Sequence, residues 1–333
     1  MPSEFRSEVE LDQYQRHRET MIAAIDIGGT KTAVGLVDDE GKVLSRMESP
    51  TDAERSYEDG LQLLVSMLRK TAQDAGQKID GIGIGSTGPV NPVTGEFGDV
   101  DFLPRWRGKN PVDELAEIFN VRVALENDAD AAALGEAGWG AGQNRSRLIF
   151  ITVGTGIGGG IILEGKLYRG VDGAHPEIGH HVIDASGPLC TCGFHGCWEA
   201  LATGPAMSAW FAHESSADSR THGPLTAKYI CQLARQGDPL ACRAIERESY
   251  YLGLGVANLI NLFAPDAIVL GGSVMKSADL FLERIRKVIA QGCRFVPFEK
   301  TELLLASLGE EANLIGAARV WHHRYGRQEV ACT

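Results

Sequence analysis

The sequence predicts an α/β fold made of two similar halves. Short apolar segments typical of strands alternate with segments of helical spacing along most of the 333 residues. A strand, a glycine-rich turn and a second strand occupy residues 22–37, and the same pattern recurs at residues 148–168. A chain of this length is also longer than a domain with one hydrophobic core usually is, so two domains are expected.

The first half is predicted to hold five strands and two helices. Glycine-containing turns join its first three strands into an antiparallel meander. A segment with leucines at helical spacing begins at Ser56, which forms a candidate N-cap pair with Asp59. Residues 85–89, after the fourth strand, are predicted to form an irregular loop. The predicted strands are residues 22–25, 32–37, 42–47, 79–84 and 121–125. The predicted helices are residues 56–75 and 129–137.

The second half is predicted to be richer in helix. One of its strands, within residues 266–273, opens into a glycine-containing loop. The other predicted strands are residues 148–153, 161–163, 166–168 and 303–306. The predicted helices are residues 198–212, 226–236, 239–262, 278–291 and 312–325. Strands and helices therefore alternate in both halves, as the α/β class requires.

Charge and apolar run lengths indicate which partners the chain does not bind. The net charge is −12, from 32 basic and 44 acidic residues, whereas nucleic-acid binding needs a basic surface. No segment reaches the ~18 apolar residues of a membrane span, and residues 1–20 lack the apolar core of a signal peptide. We expect a cytoplasmic protein with an N-terminal extension over residues 1–20, and with neither a membrane nor nucleic acid as partner.

Two glycine-rich stretches are candidate phosphate-binding loops. They are Asp26-Ile-Gly-Gly-Thr-Lys31 and Thr152-Val-Gly-Thr-Gly-Ile-Gly-Gly159, and glycine lets backbone N–H groups approach an anion closely. Two tight hairpin turns are the alternative, but the repetition and a third glycine pair after a later strand favour nucleotide binding. Asp26 would hold Mg²⁺ through water. The predicted nucleotide contacts are Asp26, Gly28, Gly29, Thr30, Lys31, Gly154, Thr155, Gly156, Gly158, Gly271 and Gly272.

A carboxylate at a strand end, Asp128, is the candidate catalytic base. It closes the run Glu126-Asn127-Asp128 between a predicted strand and a predicted helix, and ligand sites of α/β folds gather at such strand ends. An aspartate there can take a proton from an attacking hydroxyl, as phosphoryl transfer requires. The alternative role for this segment is an Asx N-cap of the following helix.

One histidine and three cysteines form a candidate metal site. His180, Cys190, Cys192 and Cys197 lie within 18 residues and supply a complete tetrahedral set for zinc. Four protein ligands leave no open position for water, so the zinc is predicted to be structural, which argues against a zinc hydrolase.

Two carboxylates flank the candidate metal site. Glu177 and Glu199 lie just outside its two ends and are candidate acceptors of hydrogen bonds from sugar hydroxyls. The alternative is that both are solvated loop carboxylates. Their place beside a rigidifying metal favours a functional role.

Taken together, these motifs resemble the ROK family, which groups repressors, open-reading-frame proteins and sugar kinases. The resemblance covers about residues 21–320, nearly the whole chain. The matching motifs are Asp26-Ile-Gly-Gly-Thr-Lys31, Glu126-Asn-Asp128, Gly154-Thr-Gly-Ile-Gly-Gly159, Glu177-Ile-Gly-His180, Cys190-x-Cys-Gly-x-x-Gly-Cys-x-Glu199, and Ala306-Ser-Leu-Gly with Gly316-Ala-Ala318.

The resemblance implies a two-lobed actin/hexokinase-like, ribonuclease H-like ATPase fold with ATP and sugar in the cleft between the lobes. It implies an N-terminal lobe of residues 21–127 joined by a C-terminal helix at 311–327, and a C-terminal lobe of residues 128–310 with the zinc loop. Asp128 corresponds to the general base for the sugar 6-hydroxyl. The implied sugar contacts are Gly88, Asn127, Asp128, Glu177, His180 and Glu199. ATP, Mg²⁺ and structural Zn²⁺ are the implied cofactors, and a homodimer is expected.

The resemblance favours an ATP-dependent glucokinase. Cys190-Thr-Cys192-Gly is similar to glucokinases and N-acetylmannosamine kinases, whereas His175-Pro176 before Glu177 is similar to zinc-dependent fructokinases. A fructokinase or an N-acetylmannosamine or N-acetylglucosamine kinase is therefore the alternative, and polyphosphate is an alternative donor. A sugar sensor or transcriptional repressor is less favoured, because only 20 residues precede the first strand, too few for a winged-helix domain.

Overall fold

The computed structural model describes residues 19–216 and 225–326. Within these limits, ten strands form two five-stranded sheets, and nine helices pack around them. Of the predicted N-terminal extension, residues 1–18 lie outside this description. Among the described helices, none has the length and apolar character that crossing a bilayer demands.

Most predicted elements are confirmed, and the strand at 148–153 and the helix at 312–325 match residue for residue. The strands are β1 (Ile22–Ile27), β2 (Lys31–Val37), β3 (Val43–Pro50), β4 (Gly81–Ser86), β5 (Arg122–Asn127), β6 (Leu148–Val153), β7 (Ile157–Leu163), β8 (Lys166–Leu167), β9 (Ala267–Gly271) and β10 (Glu302–Leu305). The helices are α1 (Tyr57–Ala75), α2 (Pro111–Phe119), α3 (Asp128–Trp139), α4 (Trp198–Leu201), α5 (Gly204–Ser216), α6 (Ala227–Arg235), α7 (Pro239–Phe263), α8 (Ala278–Gly292) and α9 (Ala312–Tyr325).

The two sheets have the same topology. The first has the order β3-β2-β1-β4-β5 and the second the order β8-β7-β6-β9-β10. In each, three strands form an antiparallel meander, and two parallel strands then extend the sheet from the meander's first strand. The structure thus confirms the internal repeat that the sequence indicates.

Strand β1 is buried on both faces because a helix covers each side of the first sheet. Side chains alternate across a strand, so Ile22 and Ala24 pack with Ala317 of α9, while Ile25 packs with Leu64 of α1. Strand β6 is likewise buried on both faces. The strand ends, rather than the covered faces, are therefore left for binding.

Helices α3 and α9 cross at a pair of glycines. A Cβ on Gly316 would lie 2.6 Å from the carbonyl oxygen of Ala131, and a Cβ on Gly135 would lie 3.0 Å from the Cα of Gly316. Only glycine allows the two backbones to approach this closely. The crossing fixes α3, which begins at Asp128, against the last helix of the described chain.

The glycine run after β6 contains less loop than the sequence suggests. The turn is confined to residues 154–156, and Gly158 already pairs with Thr152 inside β7. A Cβ on Gly159 would lie 2.2 Å from the oxygen of Phe150, and one on Gly160 would lie 2.5 Å from the Cβ of Ala133. Close packing in the strand therefore requires glycine at 159 and 160. Strand β7 begins at Ile157, four residues before the predicted start at 161, so Gly158 lies within the strand.

The predicted helix at 198–212 is two helices. Helix α4 ends at Leu201, and α5 starts at Gly204 with Pro205 in its first turn. Proline cannot lie in a helix interior without removing a hydrogen bond, but it fits the first turn. Helix α2 is not among the predicted elements, although its N-cap Asn110, which accepts a hydrogen bond from the backbone N–H of Asp113, is an ordinary start signal.

Candidate active site and metal centre

Asp128 is the first residue of α3 and lies directly after β5. The preceding residue, Asn127, caps the helix by accepting a hydrogen bond from the backbone N–H of Ala129 at 2.9 Å. One oxygen of Asp128, Oδ2, accepts a hydrogen bond from the hydroxyl of Thr87 at 2.8 Å. Its other oxygen, Oδ1, accepts from the same backbone N–H of Ala129 at 2.8 Å. Asn127 is the N-cap residue, and the Asp128 carboxylate is held between the helix backbone and a side chain from another loop.

The loop after β4 brings a second predicted sugar contact to this carboxylate. Gly88 follows Thr87, and a Cβ added to Gly88 would lie 3.4 Å from the Nδ2 atom of Asn127. The oxygen of the Asn127 amide caps α3, so its NH₂ group is the part turned toward Gly88. Gly88, Asn127 and Asp128 thus form one polar corner, built by the ends of β4 and β5.

A cleft with a volume of about 830 Å³ opens beside Asp128. Helix α3 lines it with one face, which includes Asp128, Ala132 and Glu136 at a spacing of four residues. Of the predicted nucleotide contacts, Lys31, Gly271 and Gly272 also line the cleft. The ammonium group of Lys31 lies 2.6 Å from a carboxylate oxygen of Glu48, so its charge is already paired.

Asp26 lies near the end of β1 and is 6% exposed. Burial raises its pKa to about 6; a hydrogen bond from the Asn313 side chain, at 3.0 Å, opposes this shift, and the charge of Asp128 adds to it. Two carboxylates that repel one another across a polar space form a donor set that suits a hard divalent cation such as Mg²⁺.

The first predicted phosphate loop is a tight turn. The backbone N–H of Gly28 donates to the carbonyl of Lys31 at 3.0 Å, and the Thr51 hydroxyl donates to the carbonyl of Gly28 at 2.7 Å. Gly29 and Thr30 occupy the tip and are exposed. Their backbone amides are accessible to an anion.

The second predicted phosphate loop meets the glycine pair after β9. The backbone N–H of Gly154 donates to the carbonyl of Gly156 at 2.9 Å. A Cβ on Gly154 would lie 3.4 Å from the hydroxyl of Ser273. Gly272 has φ +89°, and a Cβ there would lie 2.4 Å from the oxygen of Val153, so only glycine allows this approach. Thr155, at the tip, is exposed.

The remaining predicted sugar contacts divide between two places. Glu199 lies at the second turn, where it accepts a hydrogen bond from the backbone N–H of Ile157 at 3.0 Å. Glu177 lines a separate, largely apolar cavity of about 450 Å³, next to Pro176 and Ile178. Glu177 and Glu199 are not among the residues that line the larger cleft beside Asp128.

The predicted zinc ligands come together. The ligand atoms of His180, Cys190, Cys192 and Cys197 all lie within 4.8 Å of one another. The Nδ1 atom of His180 is 3.4 Å from the sulfur of Cys190, and the sulfurs of Cys192 and Cys197 are also 3.4 Å apart. Tetrahedral zinc with Zn–S distances of about 2.3 Å separates its ligands by roughly 3.8 Å. The donor set and its spacing therefore fit zinc.

Trp198 anchors the end of this cysteine loop in the core. Its side chain is fully buried, and its indole N–H donates to the carbonyl of Tyr251 at 2.9 Å. A Cβ on Gly255 of α7 would lie 2.0 Å from the indole ring, so only glycine leaves room for the ring against this helix. The neighbouring Cys197 and Glu199 are held in place by this anchor.

Two parts of the site were not anticipated from the sequence. Thr87 lies in the predicted irregular loop after β4, but its partner Asp128 is 41 residues away. Asn313 lies 287 residues from Asp26. Neither residue carries a local motif, so only the folded chain shows the pairing.

Known proteins resemble both the sequence and the fold. A sequence model of the ROK family matches residues 22–324. The chain is 32% identical to a glucokinase of Thermotoga maritima over 313 residues, which cover 92% of this chain and 98% of that relative.

Two solved structures extend the comparison. The structure of a ROK family glucokinase from Streptomyces griseus, in complex with glucose and AMPPNP, has a TM-score of 0.73 and 34% identity over 90% of this chain and 98% of that one. The structure of a ROK family transcriptional regulator, a homologue of the E. coli MLC protein, has a TM-score of 0.81 and 26% identity over 92% of this chain and 78% of that one. The fold class expected from the sequence is thereby confirmed, and the chain belongs to the ROK family.

Proposed function

We propose that the protein is an ATP-dependent hexose kinase that phosphorylates the 6-hydroxyl of glucose. The observation that carries this proposal is the carboxylate of Asp128, which Thr87 holds at the mouth of a large cleft. The glucokinase relatives, one of them solved with glucose and an ATP analogue, support the same activity.

Asp128 acts in this proposal as the general base. It accepts the proton of the sugar 6-hydroxyl as that oxygen attacks the γ-phosphorus in line. The hydrogen bonds from the Thr87 hydroxyl to Oδ2 and from the backbone N–H of Ala129 to Oδ1 orient the carboxylate, and each oxygen keeps a lone pair that can accept the proton. Gly88 and Asn127 contact the sugar beside it, and Glu177, His180 and Glu199 accept or donate hydrogen bonds to its other hydroxyls.

The two glycine turns bind the phosphates of ATP in this proposal. The backbone amides of exposed Gly29, Thr30 and Thr155, and of half-buried Gly156, are donors for phosphate oxygens. The glycine pair Gly271-Gly272 borders the adenosine. Asp26 would hold Mg²⁺ through water, and bound Mg²⁺ neutralises charge that develops on the transferred phosphate.

Zinc is structural in this proposal. The Nδ1 atom of His180 faces Cys190, so Nδ1 is the ligand atom and Nε2 is left for a sugar hydroxyl. One histidine can then serve both predicted roles. The metal would fix the cysteine loop between Glu177 and Glu199 and so keep both carboxylates in place.

The division into lobes is also a proposal. The N-terminal lobe, residues 21–127, takes in the C-terminal helix at 311–327, of which residue 327 lies outside the described range; the packing of α9 on β1, β4 and β5 supports this. Residues 128–310 form the second lobe, and the cleft beside Asp128 lies between the two sheets. We expect a cytoplasmic homodimer that binds neither nucleic acid nor membranes.

A parallel assay of ADP release tests the function. Mg-ATP is combined with glucose, fructose, mannose, N-acetylglucosamine or N-acetylmannosamine, and Asp128→Asn serves as control. Turnover with glucose that the variant loses supports the proposal, and a preference for fructose or an N-acetylated sugar would reassign the substrate. Glucose binding without any ADP release, with polyphosphate also inactive as donor, would favour a sugar sensor of the regulator type.

A further inference from the structure

Four charged side chains form a buried cluster behind Asp128 that the proposed mechanism does not use. The cluster consists of Glu126 on β5, Asp130 on α3, and Arg169 and His175 on the loop after β8. We call it the Asp130 cluster. Asp130 is fully buried and Glu126 is 6% exposed. Carboxylates this deep are retained only where other groups compensate their charge.

Asp130 is the shared partner in the cluster. Its Oδ2 atom lies 3.1 Å from Nη1 of Arg169 and 2.9 Å from Nδ1 of His175. The contact with His175 is an ion pair with imperfect hydrogen-bond alignment, because the ring N–H does not point along the line between the two atoms. Arg169 also pairs with Glu126. One guanidinium therefore serves two buried carboxylates.

The cluster joins two segments that both carry predicted sugar contacts. Asp130 follows Asp128 by two residues on α3, and His175 precedes Glu177 by two residues. The loop between Arg169 and His175 is closed by a hydrogen bond from the backbone N–H of Gly170 to the carbonyl of Ala174 at 2.8 Å. Both ends of this small loop thus hold the same carboxylate.

We propose that His175 and Arg169 clamp this loop to α3 through Asp130, and that the clamp sets the position of Glu177 relative to Asp128. His175 is then a positioning residue for the sugar and not a catalytic one. This inference rests on the proposed hexose-kinase function, since it assigns Glu177 to the sugar. It also gives a role to the histidine of the His175-Pro176 pair that precedes Glu177.

The charge of the cluster makes the clamp sensitive to pH. Burial lowers the pKa of His175, but the close contact and charge of Asp130, with smaller contributions from Glu177 and Asp128, outweigh it and raise the pKa above its ordinary value. Protonated His175 therefore stabilises the clamp, and this contribution is lost as the pH rises through the raised pKa.

A second group of the cluster titrates in the same direction. Burial raises the pKa of Glu126 to about 7; the charge of Arg169 opposes the shift, Asp130 adds to it, and Arg324 of α9 opposes it weakly. His323, also on α9, feels the charge of Arg169. Both His175 and Glu126 lose protons with rising pH, so the cluster becomes more negative. The contact that weakens is the one between His175 and Asp130, whereas ionised Glu126 keeps its pairing with Arg169.

Calorimetric titration of the zinc-loaded protein with glucose, without nucleotide, tests the clamp between pH 6 and 9. The wild type is expected to bind glucose more weakly at pH 9 than at pH 6, because His175 loses the positive charge that pairs with Asp130. His175→Ala should bind glucose about tenfold more weakly at pH 6 and should lose the part of the pH dependence that His175 contributes. His175→Asn keeps a neutral donor at the Nδ1 position, so it should recover part of the affinity but not the pH dependence.

Kinetics and a matched control separate positioning from general damage. The KM for glucose should rise in His175→Ala while kcat at saturating glucose stays within about threefold, because Asp128 and Thr87 are untouched. His323→Asn, a change of a histidine near Arg169 but outside the cluster, should keep the wild-type pH profile. A wild-type glucose affinity and pH profile in folded His175→Ala would overturn the proposal.

The pairing of His175 with Asp130 can also be measured in the absence of sugar. Histidine NMR of the apo protein, with the His175 signal assigned by its loss in His175→Asn, should show a raised pKa that falls in Asp130→Asn. A raised pKa in a protein that binds none of the sugars would contradict the proposed function alone. An ordinary pKa in a protein that does phosphorylate glucose would contradict the clamp alone.

Discussion

Burial raises the pKa of Asp26, and the nearby charge of Asp128 raises it further. The two residues come from different parts of the first sheet, the end of β1 and the start of α3. Their carboxylates thus share one polar region next to the cleft. A bound cation would relieve both the repulsion and the desolvation, so ligand binding and ionisation of Asp26 are coupled.

Asp128→Asn should reduce kcat by about 10²–10⁴-fold, because it removes a positioned general base. Glucose affinity by calorimetry and the Tm should stay close to wild type, since asparagine keeps the shape and the hydrogen bond from Thr87. Thr87→Val is the companion variant. It keeps the Asp128 carboxylate but removes the hydrogen bond from Thr87 that orients it, so kcat should fall less than in Asp128→Asn. Retention of most of kcat in Asp128→Asn would contradict the assignment.

Asp26→Asn should stabilise the metal-free protein at pH 8 while it weakens Mg-ATP binding. The folded pKa of Asp26, about 6, exceeds the ordinary aspartate pKa of 3.8. Stability therefore falls as the pH rises from about 4 to 6, and the ionised group costs up to about 3 kcal/mol above that range. Urea unfolding at pH 5 and pH 8 measures the difference.

The same shift predicts how nucleotide binding depends on pH. In the wild type, Mg-ATP affinity should increase as the pH rises through about 6, because the carboxylate must lose its proton to hold the cation. Asp26→Asn should lack this dependence. The urea experiment has its own contrary outcome. If Asp26→Asn and the wild type have the same difference in free energy of unfolding at pH 5 and at pH 8, ionisation of Asp26 does not destabilise the fold.

Removal of zinc should destabilise the protein and lower its activity. Cys192→Ser breaks the ligand set, and a loss of a few kcal/mol would lower the Tm by roughly 5–10 °C. Zinc content is measured by atomic absorption, together with the Tm and glucose turnover. Cys242→Ser is the control, since Cys242 lies outside the cluster. A zinc-free Cys192→Ser protein with wild-type Tm and activity would refute a structural role.

Glu136→Gln should raise the KM for ATP while leaving glucose affinity unchanged. The buried carboxylate of Glu136 accepts hydrogen bonds from the backbone N–H groups of Ser307, at 2.9 Å, and Leu308, at 3.1 Å, and so holds the loop after β10 that continues along the cleft. Such bonds to a charged acceptor contribute about 1.5–3 kcal/mol each, so an increase of about tenfold is expected.

A neighbouring glutamate provides the control for Glu136. Glu310 also lines the cleft but is exposed, so Glu310→Gln should change the KM for ATP little. If both variants behave alike, the effect reports the loss of negative charge in the cleft and not the anchoring of the loop.

Elements with a strong periodic signal were predictable from the sequence. The apolar run at 148–153 and the helical pattern at 312–325 carry enough information to fix their limits. The cluster of His180, Cys190, Cys192 and Cys197 was equally accessible, because these residues lie close together along the chain. Local pattern therefore predicted most strands and helices and the candidate metal site.

Contacts between distant segments were not predictable in the same way. The pairing of Asp26 with Asn313, or of Glu136 with Ser307, depends on how α3 and α9 cross, and no local pattern encodes that. The glycines at 158–160 concealed the start of β7, which was predicted at residue 161 and lies at Ile157. Glycine occurs both in turns and where a strand packs closely against its neighbours, so the residue type alone does not distinguish the two. Only the neighbouring backbone of β6 distinguishes the two.

The packing of α9 on the first sheet has a consequence for the order of folding. One face of the first sheet, formed by Ile22, Ala24 and Val37 among others, is covered by Leu314 and Ala317 of the last described helix. During synthesis from the N-terminus, this apolar face emerges long before its cover. The apolar surface of the first sheet therefore stays uncovered until residues 312–325 have left the ribosome. Chaperone dependence and aggregation of truncated chains should concentrate on that face.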